Sequence, residues 1–414
     1  MNPFELKPKQ KNLYYGLNAL ALKSYDKYET DPYTKTRIIL MNGTEFESNW
    51  FYHQFARHCR NKEILKVIAE IRRSEQQQQK RIGSLKPVNE SILETTLSYE
   101  QLAVDLTAIL AKREKDSVVK KQLDYAHLED FDHLYRFTDM LEMDEKQNYK
   151  KLIGSYTEIM PGRPTIAEHR SPEQDLKLPI NASVADPITK LNVCIITAAE
   201  QQTMNYYMNV AGFYHKDHGR KLFSEIAMIE EQHVSGYESL KDPTKTWLEC
   251  AVMNEYTECY LYYSCMQTEK DPKIKEVWER HYENEVCHLK IMSDLLLKYE
   301  GRHYKEEFPN PEFPELLDFK ENKKYIREVL QSVRLSADGV IYPNIDDLPS
   351  SHPFFKYQKA VVGNNPDKIP SHKIIKDYIA KYGEDLRYEV SPHPIPALRD
   401  KKVDNFEIAR VKGK

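Results

Sequence analysis

Long apolar runs are missing from this 414-residue chain. No stretch of 18 consecutive apolar residues exists, so no segment reads as a membrane-spanning helix. The opening Met1-Asn2-Pro3-Phe4-Glu5-Leu6-Lys7-Pro8 lacks the apolar core of a secretion signal. An excess of one charge is missing too. The 60 basic and 64 acidic residues leave a net charge of −4, which gives no global electrostatic case for nucleic acid or an anionic membrane. The six cysteines, Cys59, Cys194, Cys250, Cys259, Cys265 and Cys287, never form a Cys-x-x-Cys pair, so neither a rubredoxin-type iron site nor a zinc ribbon is encoded. Their helical settings predict buried free thiols and a reducing, cytoplasmic location.

What is present is a spaced set of acids and histidines between Glu200 and His288. Glu200 stands alone, Glu230-Glu231-Gln232-His233 follows, then Glu255 alone, then Glu285-Val286-Cys287-His288. The intervals between the four acids are 30, 25 and 30 residues, and each lies in a proline-free stretch of helical periodicity. Positions i and i+3 share a helix face, so Glu230 with His233, and Glu285 with His288, can address one centre. Two lone glutamates and two Glu-x-x-His pairs make the ligand set of a carboxylate-bridged two-metal site in a four-helix bundle.

The first half repeats this layout at a constant offset of 155. Glu45, Glu75, Glu100 and Asp130 map onto Glu200, Glu230, Glu255 and Glu285, and His133-Leu134 onto His288-Leu289. Asp31-Pro32-Tyr33-Thr34-Lys35 maps onto Asp186-Pro187-Ile188-Thr189-Lys190. The register holds without a gap for roughly 120 residues, the mark of a tandem duplication. The expected architecture is all-α: two tandem four-helix bundles plus a helical or irregular C-terminal extension. The expected boundaries are an N-terminal arm at 1–30, a bundle at 31–150, a surface linker at 151–185, a second bundle at 186–305 and the extension at 306–414.

In the first bundle, helix A should run over Pro32–Arg60, B over Lys62–Arg81, C from the Ser91/Glu94 capping box to Lys112, and D over Ser117–Leu141. The second bundle follows the same plan. The alternation of lone Glu and Glu-x-x-His asks helix C to run parallel to B. The ten residues Ile82–Ser91, worth roughly 30 Å extended, should therefore cross the length of the bundle. In the extension, helices are expected over Glu315–Leu335 and Ser371–Tyr382, with no catalytic signature.

In the second bundle Glu230 and Glu285 would bridge two ions, Glu200 and Glu255 would be terminal ligands, and His233 and His288 would take one ion each. Glu231 points off the ligand face, and Glu258 is set aside because Ala103 stands at its counterpart. The set Glu200, Glu230-x-x-His233, Glu255 and Glu285-x-x-His288 resembles the ferritin-like superfamily, most closely rubrerythrin-like di-iron carboxylate proteins. That resemblance implies two iron ions, or an iron–manganese or manganese pair, reacting with dioxygen or peroxide. It departs from rubrerythrins in lacking a rubredoxin domain, which asks for an external electron donor. Val252 also stands where a further glutamate, three residues before Glu255, would be expected.

Tyr237, four residues after His233, has the spacing of the radical tyrosine of ribonucleotide reductase small subunits and could relay an electron; packing in the core is its competing role. Tyr207, matched by Tyr52, reads as packing. In the first bundle Gln78 replaces the counterpart of His233 and Asp130 that of Glu285. Glu45, Glu75, Gln78, Glu100, Asp130 and His133 are therefore expected to form a weakened or vestigial site, with nearer two than four ions per chain. The function expected is a di-metal oxidase, oxygenase or peroxidase, with no nucleic acid or membrane partner and room for a homodimer. The alternatives are a metal-handling ferroxidase and a non-catalytic scaffold. An apolar cavity beside the metals would favour the oxygenase, and a polar open channel would favour iron handling.

Overall fold

The computed structural model describes residues 1–7, 13–363, 365–404 and 406–408. The chain is all-α; the described residues contain no strand, only three isolated bridges. No described helix is long and apolar enough to cross a membrane. Eight long helices carry the repeat: α1 (Pro32–His58), α2 (Lys62–Gly83), α3 (Ile92–Arg113), α4 (Ser117–Glu145), α6 (Pro187–Phe213), α7 (Asp217–Ser239), α8 (Trp247–Thr268) and α9 (Pro272–Glu300). Single turns α5 (Lys150–Ile153) and α10 (Tyr304–Glu307) follow each set, and α11 (Lys323–Leu330), α12 (Pro353–Val362) and α13 (Pro370–Tyr382) belong to the extension.

The helix starts obey local chemistry. Asp31 accepts from Tyr33 N ahead of Pro32, and Asp186 accepts from Ile188 N at 2.8 Å. Ser91 with Glu94 and Thr246 with Glu249 form reciprocal capping boxes at the starts of α3 and α8. Each such cap stabilises its helix by about 1 kcal/mol. Gly301 ends α9 at φ 70°, a left-handed position that glycine adopts without strain.

The two bundles are not the two consecutive halves. The chain forms two compact units: unit 1 is Met1–Asn89, Ile180–Gln202 and Lys241–Phe319, and unit 2 is Glu90–Pro179, Thr203–Leu240 and Lys320–Lys414. The expected bundles at 31–150 and 186–305 are therefore each divided. In unit 1 the hairpin α1–α2 packs with the hairpin α8–α9, and in unit 2 the hairpin α3–α4 packs with α7. Hairpins form locally because short links (Cys59–Asn61, Glu114–Asp116, Glu269–Asp271) leave their two helices side by side. The link after α2, expected to span one bundle, instead leads into the other unit.

The supposed surface linker is also corrected. Residues 157–170 are buried throughout, because their charges meet buried partners. Arg170 lies 2.8 Å from Glu129 and 2.5 Å from Asp175. The N-terminal arm has the same job in unit 1, and the repeat extends through it. Tyr15 N donates to Gln77 (2.7 Å) and Leu22 N to Ser84 (2.8 Å). At the same offset of 155, Arg170 N donates to Gln232 (3.2 Å) and Lys177 N to Ser239 (2.8 Å).

The core of unit 2 joins α3, α4 and α7 to the extension, through Leu128, Phe137, Phe223, Ile326, Phe354 and Ile375 among others. Tyr378 donates to Glu142 at 2.8 Å, which fixes α13 on α4. The helix expected over Glu315–Leu335 is reduced to α11, because the preceding segment is held extended: Tyr260 donates to the Glu315 carbonyl at 2.7 Å, and Leu317 N to Ser264 at 3.2 Å. Helix α12 was not foreseen; its short apolar pattern follows Pro353 directly.

Candidate metal centres

The interleaving regroups the ligands. Cluster 1, in unit 1, gathers Glu75, Glu255, Glu285 and His288, whose ligand atoms all lie within 4.8 Å of one another. Cluster 2 gathers Asp130, Glu200, Glu230 and His233 on the same criterion, with Glu100 and His133 meeting Glu230 in an overlapping group. Glu200 rides on α6 just before that helix passes from unit 1 into unit 2. The six residues expected to share one site in 186–305 are thus split three and three: Glu255, Glu285 and His288 in cluster 1, and Glu200, Glu230 and His233 in cluster 2. The residues expected to form a vestigial site divide likewise, Glu75 falling in cluster 1 and Glu100, Asp130 and His133 in cluster 2.

In cluster 1, His288 Nδ1 lies 2.7 Å from Glu75, 3.1 Å from Glu285 and 3.7 Å from Glu255. Gln78 donates to Glu285 at 2.5 Å and receives a 3.2 Å hydrogen bond from Asn284. The buried charges of Glu75 and Glu285 act on Glu45, and those of Glu75, Glu285 and Glu255 act on Glu258. Glu258 was set aside on sequence, yet it is fully buried among these acids. The counterpart rule failed because the two clusters are not copies: where cluster 1 has an amide for a histidine, it has an extra carboxylate on the next turn of α8.

Burial, reinforced by the neighbouring carboxylates, raises Glu258 and Glu45 well above the ordinary carboxylate range. Burial and the charge of Glu75 do the same to Glu255. Burial would also raise Glu285, but the charge and hydrogen bond of His288 outweigh it and hold the group low. His288 itself would be lowered by burial; Glu285 and Glu75 lift it well above its usual value. Five buried carboxylates facing one imidazole cannot all ionise without a cation among them.

In cluster 2 both histidines present Nδ1 to the ligand carboxylates. His133 Nδ1 is 3.0 Å from Glu230, and His233 Nδ1 is 3.2 Å from Asp130 and 3.3 Å from Glu230. Their outer nitrogens each meet a carboxylate: His133 Nε2 lies 3.2 Å from Glu168, and His233 Nε2 lies 2.8 Å from Glu129. Burial would raise Glu129, but Arg170 and His233 hold it at about 2, so it stays ionised behind the ring. Burial pushes Glu168 up to about 8. A carboxylate behind a ligating histidine fixes its tautomer and raises its basicity. Glu129 and Glu168 carried no motif; Glu129 hid beside Asp130, and Glu168 lay in the presumed linker.

Tyrosines brace both clusters. Tyr52 donates to Glu255 and, at the repeat-related position, Tyr207 donates to Glu100. Tyr262 donates to Glu45 and takes a 3.2 Å contact from His281. Tyr52 and Tyr207, read as packing, therefore hold ligand oxygens in place. Tyr237 is fully buried on α7. Glu231 lies exposed on the same helix, as expected.

The donor sets fit metal ions. Glu45 Oε2, Glu258 Oε2, Glu100 Oε2 and His288 Nε2 are buried without any hydrogen-bond partner. Native interiors rarely leave carboxylate oxygens in that state without an ion to meet them. A cavity of about 170 Å³ adjoins cluster 1, between α1, α6 and α8. Asn254 lines it and donates to Glu258 at 3.4 Å and to Ser48 at 3.0 Å, so its amide joins the cavity wall to one of the acids. Compared with protein families, curated proteins and solved structures, the chain matches none.

Proposed function

We propose that this chain is a di-metal carboxylate oxidoreductase of the ferritin-like type that uses dioxygen or peroxide. The observation that carries the reading is the convergence of Glu-x-x-His and Asp-x-x-His pairs into two buried, carboxylate-rich clusters with unpartnered oxygens. Glu75, Glu255, Glu258, Glu285 and His288, with Glu45, would hold the ions of cluster 1. Glu100, Asp130, Glu200, Glu230, His133 and His233 would hold those of cluster 2. Iron, or iron with manganese, would supply one-electron redox chemistry and Lewis acidity there when bound. The protein's own groups keep water out by full burial, orient the carboxylates through Tyr52, Tyr207 and Tyr262, and hold Glu45, Glu255 and Glu258 above the ordinary carboxylate range. An apolar cavity on cluster 1, where an iron-storage role would want a polar channel, favours oxidation of an organic substrate. Electrons would come from an external donor.

The test is anaerobic loading of the metal-free protein with ferrous iron, desalting and elemental analysis, followed by air and a dioxygen electrode. The expected result is about four ions per chain, two for each cluster, and dioxygen consumed in proportion to iron. Retention of no iron would overturn the reading.

A further inference from the structure

The cavity beside cluster 1 differs from an ordinary packing defect in what lines it and in what its counterpart contains. Its walls are Phe51, Val193, Ile195, Met253, Leu261 and Phe308. Burial raises the thiol of Cys194 and pushes that of Cys250 up to about 11, so both present neutral sulfur. The charged side chains at its edge are already engaged. Lys245 lies 2.7 Å from Glu307 and 3.2 Å from Glu249, Lys190 donates to the Glu307 carbonyl at 2.7 Å, and Lys241 faces Glu47 at 3.7 Å. An anionic ligand would have to compete with Glu307, Glu249 or Glu47 for these lysines. Its volume, about 170 Å³, is close to that of an apolar cavity of ~150 Å³ known to take up benzene.

The repeat supplies the second observation. Asn254 and Phe51 correspond, at the offset of 155, to Tyr99 and Tyr206. In unit 2 those two rings stack on each other with centroids 4.4 Å apart and planes 9° apart. The positions that frame an open chamber in unit 1 are thus held by a stacked aromatic pair in unit 2. The smaller asparagine stands where unit 2 carries a tyrosine, and from the cavity wall its amide reaches Glu258 at 3.4 Å.

We propose that this chamber is the substrate site, and that its occupant is an uncharged, apolar molecule of about one aromatic ring or a short alkyl chain, presented to cluster 1 across Asn254. The proposal rests on the di-metal reading above for the chemistry, but not for the binding.

The test uses the full chain loaded with cobalt(II), with toluene as probe and benzoate as its charged relative. Toluene should raise the thermal midpoint saturably and shift the cobalt d–d absorption, while benzoate does neither. Asn254→Tyr, which copies unit 2, and Cys250→Phe should each weaken toluene binding at least about tenfold while keeping their cobalt. Crystals exposed to toluene vapour should show the ring between Phe51 and Met253, which keeps the test decisive if a variant fails to fold. The proposal is overturned if toluene does not bind, if benzoate binds more tightly, if both filled variants bind as the wild type does, or if saturating toluene leaves the cobalt spectrum unmoved. Xenon density without toluene binding would also overturn it, in favour of a gas route. Cobalt retained without toluene binding removes this inference alone. Toluene bound by a chain that takes up no metal removes the di-metal reading and leaves an apolar binding site.

Discussion

Clusters 1 and 2 descend from one repeated pattern but hold their histidines by different means. In cluster 2, His233 is backed by ionised Glu129, itself pinned by Arg170. In cluster 1 the counterparts of all three have changed together: Gln78 for His233, Asn284 for Glu129, and Tyr15 for Arg170. The replacements still touch, since Asn284 donates to Gln78 at 3.2 Å and to the Tyr15 hydroxyl at 3.4 Å. A charged relay has become a neutral one, and the lost imidazole is offset by Glu258. The lesson is that a buried residue at a candidate ligand position and the groups behind it differ as a set between the two clusters. An ionised carboxylate left behind a neutral amide would be a buried, unpaired charge.

The largest expected effect breaks the comparison at its root. Residues 186–305 expressed alone should be largely unfolded by circular dichroism and bind no metal, because each cluster draws on both halves of the chain. A folded fragment with two ions would show that the halves are autonomous. Next, His288→Ala should remove the ions of cluster 1 and spare those of cluster 2, and His233→Ala should do the reverse. Elemental analysis should find about half the wild-type metal in each; loss of all metal in either would show that the clusters fill as one.

Metal removal should also invert the pH dependence of stability. Glu45, Glu255, Glu258 and Glu100 have folded values raised above an unfolded value of about 4.3. They bind protons more tightly when folded, so their contribution is complete below that pH and is lost as pH rises through the folded values. His288 and His133, also raised, act in the same sense above about pH 6.5. The metal-free protein should therefore melt at a lower temperature at pH 8 than at pH 5. Bound metal, which displaces those protons, should flatten or reverse the trend. A metal-free melting point that rises over that interval would contradict the cluster geometry.

A smaller effect separates the supports. Glu129→Gln should weaken metal binding in cluster 2 by about 10- to 100-fold, whereas Asn284→Ala should leave cluster 1 nearly unchanged. Competition with a chelator measures both, and equal losses would erase the distinction. The smallest change expected is a gain: Gln78→His with Asn284→Glu should tighten cluster 1, and Gln78→His alone should not, since the new ring would lack a carboxylate behind it.

Much of this was legible in the chain. The Glu-x-x-His spacing, the offset of 155, the Asp-Pro caps and the Ser91/Glu94 capping box located the eight helices to within a few residues, because each is set by local periodicity and end chemistry. Glu258 was set aside, and Glu129 and Glu168 were passed over, for a common reason: their partners are brought by other segments. One signal was available: His233 has no carboxylate at the matching place in its own half, where Asn284 stands, but finds Glu129 in the other half.

The sequence by itself determined that helical hairpins form, which face of each carries acids, and that the pattern occurs twice. Those properties depend on contacts within a few turns or across a three-residue link. The pairing of hairpins into bundles was open, because an exact repeat makes the joining of a first-half pair to either second-half pair equally plausible on pattern alone. Only the tertiary structure decided it. The choice depends on which buried charges find partners, and that is settled among side chains roughly a hundred or more positions apart, such as Glu129 with His233 and Gln78 with Glu285.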